Sequence, residues 1–136
     1  MTPLNAIKAG LEDLDITVDA IGRRRASTAC TVLAVQSGQT FRTVPDQQTL
    51  RCVLAVYNTN EGQAYTTACS IYDTLVSTFG PVRSDTNTWT LTDYMGWDIV
   101  PDPPLLLGPL GDERPVLFVV SVPLVLHLEA TPDATP

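Results

Sequence analysis

The chain is 136 residues long, a length that fits one domain with a substantial core and is too short for two. Apolar residues make up 44% of it and charged residues only 17%, which places it among globular proteins and predicts that other subunits cover part of its surface. Its net charge of −7 repels phosphate, so a function in reading DNA is disfavoured.

An amphipathic helix is predicted at about residues 3–14. Thr2 can cap the free amides of the first turn, and Pro3 costs nothing there because those amides have no partner inside a helix. Gly10 should weaken the helix locally. The apolar face is formed by residues at helical spacing, namely Leu4, Ile7, Leu11 and Leu14.

Two strands are predicted after a connecting loop. The loop covers 15–28, has no sustained period and leaves room for a short strand or turn. The first strand covers about 29–36, where β-branched and small apolar residues precede a turn, and the second covers 50–57. The two strands can pair as a hairpin with a long polar connection.

A second helix is predicted at 61–79. Asn60 can cap its first turn, and Gly80 followed by Pro81 ends it. Such a helix should cover a sheet with its apolar stripe. The stripe consists of residues three or four apart, namely Ala64, Ala68, Ile71, Leu75 and Phe79.

The C-terminal half is predicted to form strands on either side of a proline-rich loop. Short strands, or one bent strand, are expected at 89–93 and 94–100, and a loop at 101–115, because prolines prevent regular pairing there. The longest strand is expected at 116–129. Within it Pro123 predicts an edge position or a bulge, because proline lacks the amide that a central strand needs.

These elements together predict an α+β fold. Its core would be a mainly antiparallel sheet of about four strands, with the N-terminal helix and the central helix packed on it. Residues 1–130 would form this single domain. Residues 131–136 have no apolar period and are predicted to form a flexible C-terminal tail.

Two segments are candidates for contact with other proteins. Exposed leucines in the proline-rich loop would mark a contact surface, although packing back onto their own domain is an equally available explanation. The only basic run follows Gly22 and is interpreted first as a solvated turn rather than a DNA-binding arm. The candidate interface residues are Leu105, Leu106, Leu107, Leu110, Arg23, Arg24 and Arg25.

No residue stands out as catalytic, cofactor-binding or metal-ligating. Cys30, Cys52 and Cys69 lie among apolar residues, which predicts buried, reduced thiols rather than nucleophiles or a disulfide framework. His127, the only histidine, lies in an apolar strand, which favours a partly buried or edge histidine over a catalytic base. Metal-ligand spacings such as Cys-x-x-Cys do not occur. We therefore expect no enzyme activity, no metal and no cofactor.

A membrane partner is not expected either. No stretch approaches the ~20 apolar residues of a membrane span. Acidic residues also interrupt the N-terminal segment where the apolar core of a signal peptide would lie. The sequence therefore predicts a soluble, unexported protein.

The order of the elements resembles that of the tail-terminator proteins of long-tailed bacteriophages, also called minor capsid or tail-completion proteins. A strand RCVLAVY leads through NTNEGQ into a helix AYTTACSIYDTLVSTF, as at the centre of that family. A tryptophan-containing strand, a Pro-Pro-Leu-x-x-Gly segment at 103–108, an acidic Gly-Asp-Glu at 111–113 and a long terminal strand follow in the same order. The resemblance covers nearly the whole chain and rests on element order and apolar pattern.

The resemblance implies a structural virion protein of the tail and neck, assembled in the host cytoplasm. Six copies would form a ring that caps the tail tube, ends its polymerisation and joins it to the head. The partners would be further copies, the major tail tube protein and the head stopper or connector protein. DNA would pass through the ring without specific binding.

Two alternatives remain open, one within virion assembly and one from another class. A head-completion or adaptor protein of the connector would contain more helix than this sequence predicts. A small ligand-binding regulatory domain could share a helix-covered sheet, but it would need a concave pocket with converging polar groups.

Overall fold

A computed structural model describes residues 2–22, 29–35, 48–80, 87–110 and 116–131. In these residues the chain forms two helices and seven strands. In chain order they are α1 (Pro3–Asp13), β1 (Ala20–Ile21), β2 (Cys30–Val35), β3 (Gln48–Asn58), α2 (Glu61–Phe79), β4 (Thr88–Leu91), β5 (Tyr94–Pro101), β6 (Leu105–Leu110) and β7 (Leu117–Ala130).

Both helices begin and end within a residue of where their local signals predict. The Thr2 side chain accepts a hydrogen bond from the Asn5 amide at 3.3 Å, and the Asn60 side chain accepts one from the Gln63 amide at 2.9 Å. Gly80 ends α2 with a φ of 88°, a conformation that favours glycine. The predicted apolar face of α2 is confirmed, because its buried residues are Ala64, Ala68, Ile71, Leu75 and Phe79.

The long strand β7 organises the sheet. The strand order is β1-β2-β3-β7-β5-β4, and β6 pairs with β7 as well. One side of β7 pairs with β3 over its length, while the other side pairs first with β6 and then, beyond Ser121, with β5. The pair β1–β2 is parallel and the other pairs are antiparallel, so the sheet is mixed.

The sheet is curled into a half-barrel around the helices. Helix α1 contacts β1 and β2 at one edge of the sheet and β4 at the other, which requires the sheet to bend. Helix α2 lies across β3, β5 and β7. Alternate residues of these strands point towards the helices and are fully buried, for example Leu54, Val122 and Leu126. The core therefore lies inside the curl.

The predicted fold class is wrong. The chain is mostly β, with seven strands in a mixed, curled sheet instead of about four strands in a mainly antiparallel one with helices packed on it. The predicted loop at 101–115 is wrong in its first part, because β5 runs to Pro101 and Leu105 begins β6. Beta-strand pairing with the distant β7 stabilises these short strands, and local composition does not reveal such pairing.

Pro123 lies at the centre of the sheet rather than at an edge. It is opposite Val53 of β3, and its carbonyl oxygen accepts a hydrogen bond from the Asp102 amide at 2.9 Å on the other side. The nitrogen and the carbonyl of one strand residue point to the same side. The missing amide of Pro123 therefore faces the break between β5 and β6 at Asp102, and not the strand β3.

The C-terminal strand ends near the predicted end of the domain. Strand β7 runs to Ala130, and the Thr131 amide donates a hydrogen bond to the Asp93 carbonyl at 3.0 Å. The rest of the predicted tail, at 132–136, lies outside the described residues.

Candidate functional site

Strand β6 exposes three successive leucines. Leu105 is 58% exposed, Leu106 43% and Leu107 59%. A leucine that packed back onto its own domain would be largely covered. Leu105 and Leu107 are each more than half exposed, and the exposure of all three leucines favours a contact surface.

The pairing of β6 with β7 explains why neighbouring leucines are exposed on both faces. Leu105 pairs with Ser121 and Leu106 with Val120, and the next pair is Gly108 with Val119. Leu107 is thus the extra residue of a β-bulge, which disturbs the alternation of side chains. Leu105 points away from the core face, Leu106 points towards it, and Leu107 projects at the bulge.

Strand β6 also presents a free edge in the described part of the chain. It pairs with β7 on one side, and no other described strand pairs with it. The stretch 103–110 contains no charged residue. An apolar edge without charges is a surface that another chain can cover or extend.

The remaining predicted interface residues are Leu110 and the three arginines of the basic run. Leu110 is the last residue of β6 and pairs with Leu117. The arginines Arg23, Arg24 and Arg25 lie outside the described residues. The structure therefore gathers three of the seven candidates into one surface, Leu105, Leu106 and Leu107.

The outward side of α2 forms a shallow groove that the sequence analysis did not identify. Its volume is about 720 Å³. Tyr65, 49% exposed, is at one end, and Asp73 is the only charged residue in the stretch 62–80. A pattern in the sequence could have indicated this groove. Hydroxyl residues stand at positions of α2 where a solvated helix usually carries charged residues. The lining residues are Tyr65, Thr66, Cys69, Ser70, Asp73, Thr74, Ser77 and Thr78.

Threonine hydroxyls along this groove are bonded to the helix itself. Thr74 Oγ1 donates to the Ser70 carbonyl at 3.0 Å, and Thr78 Oγ1 donates to the Thr74 carbonyl at 2.8 Å. These hydroxyls already have acceptors, so covering them costs less than covering unpaired polar groups.

A second, smaller cleft lies between α2, β2 and the segment after α1. Its volume is about 400 Å³, and it is lined mainly by hydroxyl side chains. Asp15, with a φ of 64°, is the one carboxylate that lines it. A single carboxylate among threonines does not form the converging polar set that a small-ligand site requires.

His127 joins three neighbouring strands on the face of the sheet away from the helices. Its Nδ1 is 2.9 Å from Thr49 Oγ1 on β3, and its Nε2 is 3.5 Å from Asp98 Oδ2 on β5. The Trp97 ring stacks on the imidazole with centroids 5.9 Å apart. The prediction of a partly buried histidine is confirmed, because the side chain is 30% exposed.

A hydroxyl, an imidazole and a carboxylate in this order resemble the arrangement of a nucleophilic site. The imidazole, however, is stacked on Trp97, and neither described cleft includes any of these residues. Cross-strand pairs of this kind stabilise a sheet. We interpret the cluster as a set of cross-strand contacts that stabilises the pairing of β7 with β3 and β5.

The cysteines differ in burial. Cys52 is fully buried, and desolvation raises the pKa of its thiol to about 12. Its Sγ donates a weak hydrogen bond to the Leu124 carbonyl at 3.4 Å. Cys30 and Cys69 are only partly buried, so the prediction of three buried thiols is correct for Cys52 alone.

Within the described ranges, no group of three or more histidines, cysteines, aspartates or glutamates could hold a metal ion. None of the described helices is long and apolar enough to cross a membrane.

Comparison with known proteins adds no family assignment. No family model matches the chain, and a search of curated proteins finds no match. The inference of function therefore depends on the surfaces described above.

Proposed function

We propose that the chain is a tail-terminator subunit, a structural virion protein without enzyme activity or a cofactor. One observation carries the proposal: β6 exposes Leu105, Leu106 and Leu107 on a sheet edge without charges. Such a surface is costly to leave in water and gains free energy when another chain covers it. A protein built to assemble would present this kind of strand.

The proposed assembly is a ring that closes by repetition of one contact, with six copies as the family resemblance implies. The ring would cap the tail tube at the neck and offer its opposite face to the head connector. The low charge of the chain, 17%, supports extensive contact with other subunits.

The alternatives are less well supported. A head-completion or adaptor protein would contain more helix than the two helices of the described residues. A ligand-binding regulatory domain would need converging polar groups, and the cleft beside Asp15 is lined mainly by hydroxyls.

The test is complementation of virus particles that lack this protein. Leu106→Asp places a carboxylate in the leucine surface, where assembly would bury it unpaired. We expect tails of irregular length and heads without joined tails, counted by electron microscopy. Thr92→Asp is the matched control, because Thr92 is exposed in the β4–β5 turn, at the opposite end of β7.

Particle imaging also tests the ring directly. Several symmetric copies at the neck are expected in particles that carry the wild-type chain. A single asymmetric copy, or normal particles formed with Leu106→Asp, would contradict the proposed function.

A further inference from the structure

We propose that β6 of one copy docks into the groove on the outward side of α2 of a second copy. This inference rests on the proposed function, and it names the two surfaces through which neighbouring copies meet. The partner is therefore another molecule of this chain, bound through a surface different from β6.

The distribution of exposed apolar side chains supports this pairing. Four large hydrophobic side chains are exposed in the described part of the chain. Three of them are on β6, and the fourth, Tyr65, is at the groove of α2. A contact between the two surfaces would cover Tyr65 together with leucines of β6, whereas a contact of β6 with a second β6 would leave Tyr65 exposed.

Charge supports a second copy as the occupant. Each copy carries a net charge of −7, so two copies repel each other unless they meet where carboxylates are scarce. The stretch 103–110 has no charge and the stretch 62–80 has only Asp73. These two surfaces therefore allow close approach of identical acidic chains.

The chemistry of the groove suits an apolar strand. Thr74 and Thr78 keep their hydroxyl hydrogen bonds within the helix, so a leucine can cover them without leaving a donor unpaired. Tyr65 offers a broad apolar ring with a polar tip at the rim. The leucines gain burial, and the Thr74 and Thr78 hydroxyls lose little when they are covered.

The two surfaces do not cover each other within one copy, because Tyr65 and the three leucines are all exposed in the folded chain. A contact between two different surfaces is head-to-tail, and each copy then keeps one free surface of each kind. Repetition of this contact produces a closed ring or a filament rather than a simple dimer.

Cysteine cross-linking tests the contact, because Cys69 lies in the groove. Leu106→Cys is combined with Cys69→Ser in one full-length chain, and a second, larger tagged chain keeps Leu106 and Cys69. Both chains carry Cys30→Ser. Cys52 is buried with its pKa raised to about 12 and should not react. Mild oxidation of the mixture should join the two chains in a mixed disulfide dimer.

Two controls identify the bond. In the first control, Cys69→Ser in the tagged chain should remove the mixed dimer. In the second, a single chain that carries Leu106→Cys and keeps Cys69 should form a ladder of disulfide-linked multimers. Adding Cys69→Ser to that single chain should leave dimers at most. Circular dichroism and thermal unfolding confirm that each variant is folded. Absence of the mixed dimer, or its persistence after Cys69→Ser, would overturn the inference.

The outcome is separable from that of the proposed function. If sedimentation shows self-association and particles contain a ring, but no mixed dimer forms, the named contact is wrong and the function stands. If the mixed dimer forms and particles contain no ring, the contact is correct and the function is wrong.

Discussion

Gly10 lies where α1 meets β4, and the space beside its Cα is already occupied. A Cβ at this position would overlap Leu91 Cδ2 and would be 2.8 Å from Trp89 Cζ2. Alanine normally favours a helix over glycine by about 1 kcal/mol, but overpacking a core costs about 1–3 kcal/mol. We expect Gly10→Ala to lower the free energy of unfolding by up to about 2 kcal/mol in urea titrations.

A double-mutant cycle separates packing from helix propensity. Leu91→Ala removes the nearest atom, so Gly10→Ala should cost less in that background than in the wild type. An equal cost in both backgrounds would show that the contact with Leu91 is not responsible.

The buried thiol of Cys52 predicts a dependence of stability on pH. Its pKa is raised from 9.0 to about 12 in the folded chain, because burial disfavours the thiolate. The contribution of the protonated thiol is fully present below pH 9.0 and is lost as the pH rises towards about 12. The expected slope is about −1.4 kcal/mol per pH unit between the two pKa values.

Cys52→Ala is the comparison that isolates this slope. The pKa values of Tyr57 and Tyr94 are also raised by burial, but both tyrosines titrate in either protein. Between pH 9 and about pH 11, the free energy of unfolding should fall more steeply in the wild type than in Cys52→Ala. Parallel curves would contradict the prediction.

Helix α2 is the element whose packing should contribute most to stability. Leu75 is fully buried and Ile71 nearly so, in one cluster with the inner face of the sheet. Ile71→Ala or Leu75→Ala should each cost about 2–5 kcal/mol in chemical unfolding. Thr66→Ala, at an exposed position of the same helix, is the control and should change stability far less. Losses below about 1 kcal/mol at both buried positions would contradict this packing.

The sequence predicted those elements whose limits depend on nearby residues. Asn60 and Gly80 fix the ends of α2, so the helix and its buried face could be predicted closely. Strand β6 could not, because Pro109 argues against a strand and only pairing with Phe118 and its neighbours in β7 stabilises one. The edge position expected for Pro123 was wrong for the same reason, whereas the alternative of an irregularity at that point agrees with the break between β5 and β6, which is set by tertiary pairing.

The candidate site was predicted in part. Three leucines among prolines are conspicuous in a sequence, and their exposure followed from the structure. Tyr65 lies outside the predicted apolar stripe of α2, but the stripe alone does not predict the groove beside it. A tyrosine in an amphipathic helix can lie on either side of the boundary between core and surface. Only the packed molecule shows that Tyr65 belongs to the outward groove.

At the scale of the whole molecule, the acidic charge should oppose assembly while the uncharged surfaces drive it. Copies with a net charge of −7 repel each other over a distance that salt shortens from about 30 Å at 0.01 M to about 3 Å at 1 M. Contacts through β6 and α2 contain almost no charge to be screened. Self-association should therefore strengthen as sodium chloride is raised from ~0.05 M to ~0.5 M, measured by sedimentation.

The opposite trend would identify a different contact. If Arg23, Arg24 and Arg25 paired with carboxylates of a neighbouring copy, salt would weaken association, because ion pairs between exposed groups are screened. Replacing the three arginines by glutamine distinguishes a contact through the leucines from a contact through the arginines. A contact through the leucines should keep its increase with salt in that variant, with weaker association at low salt because the net charge is then more negative. Loss of association at every salt concentration would instead place the arginines in the contact between copies.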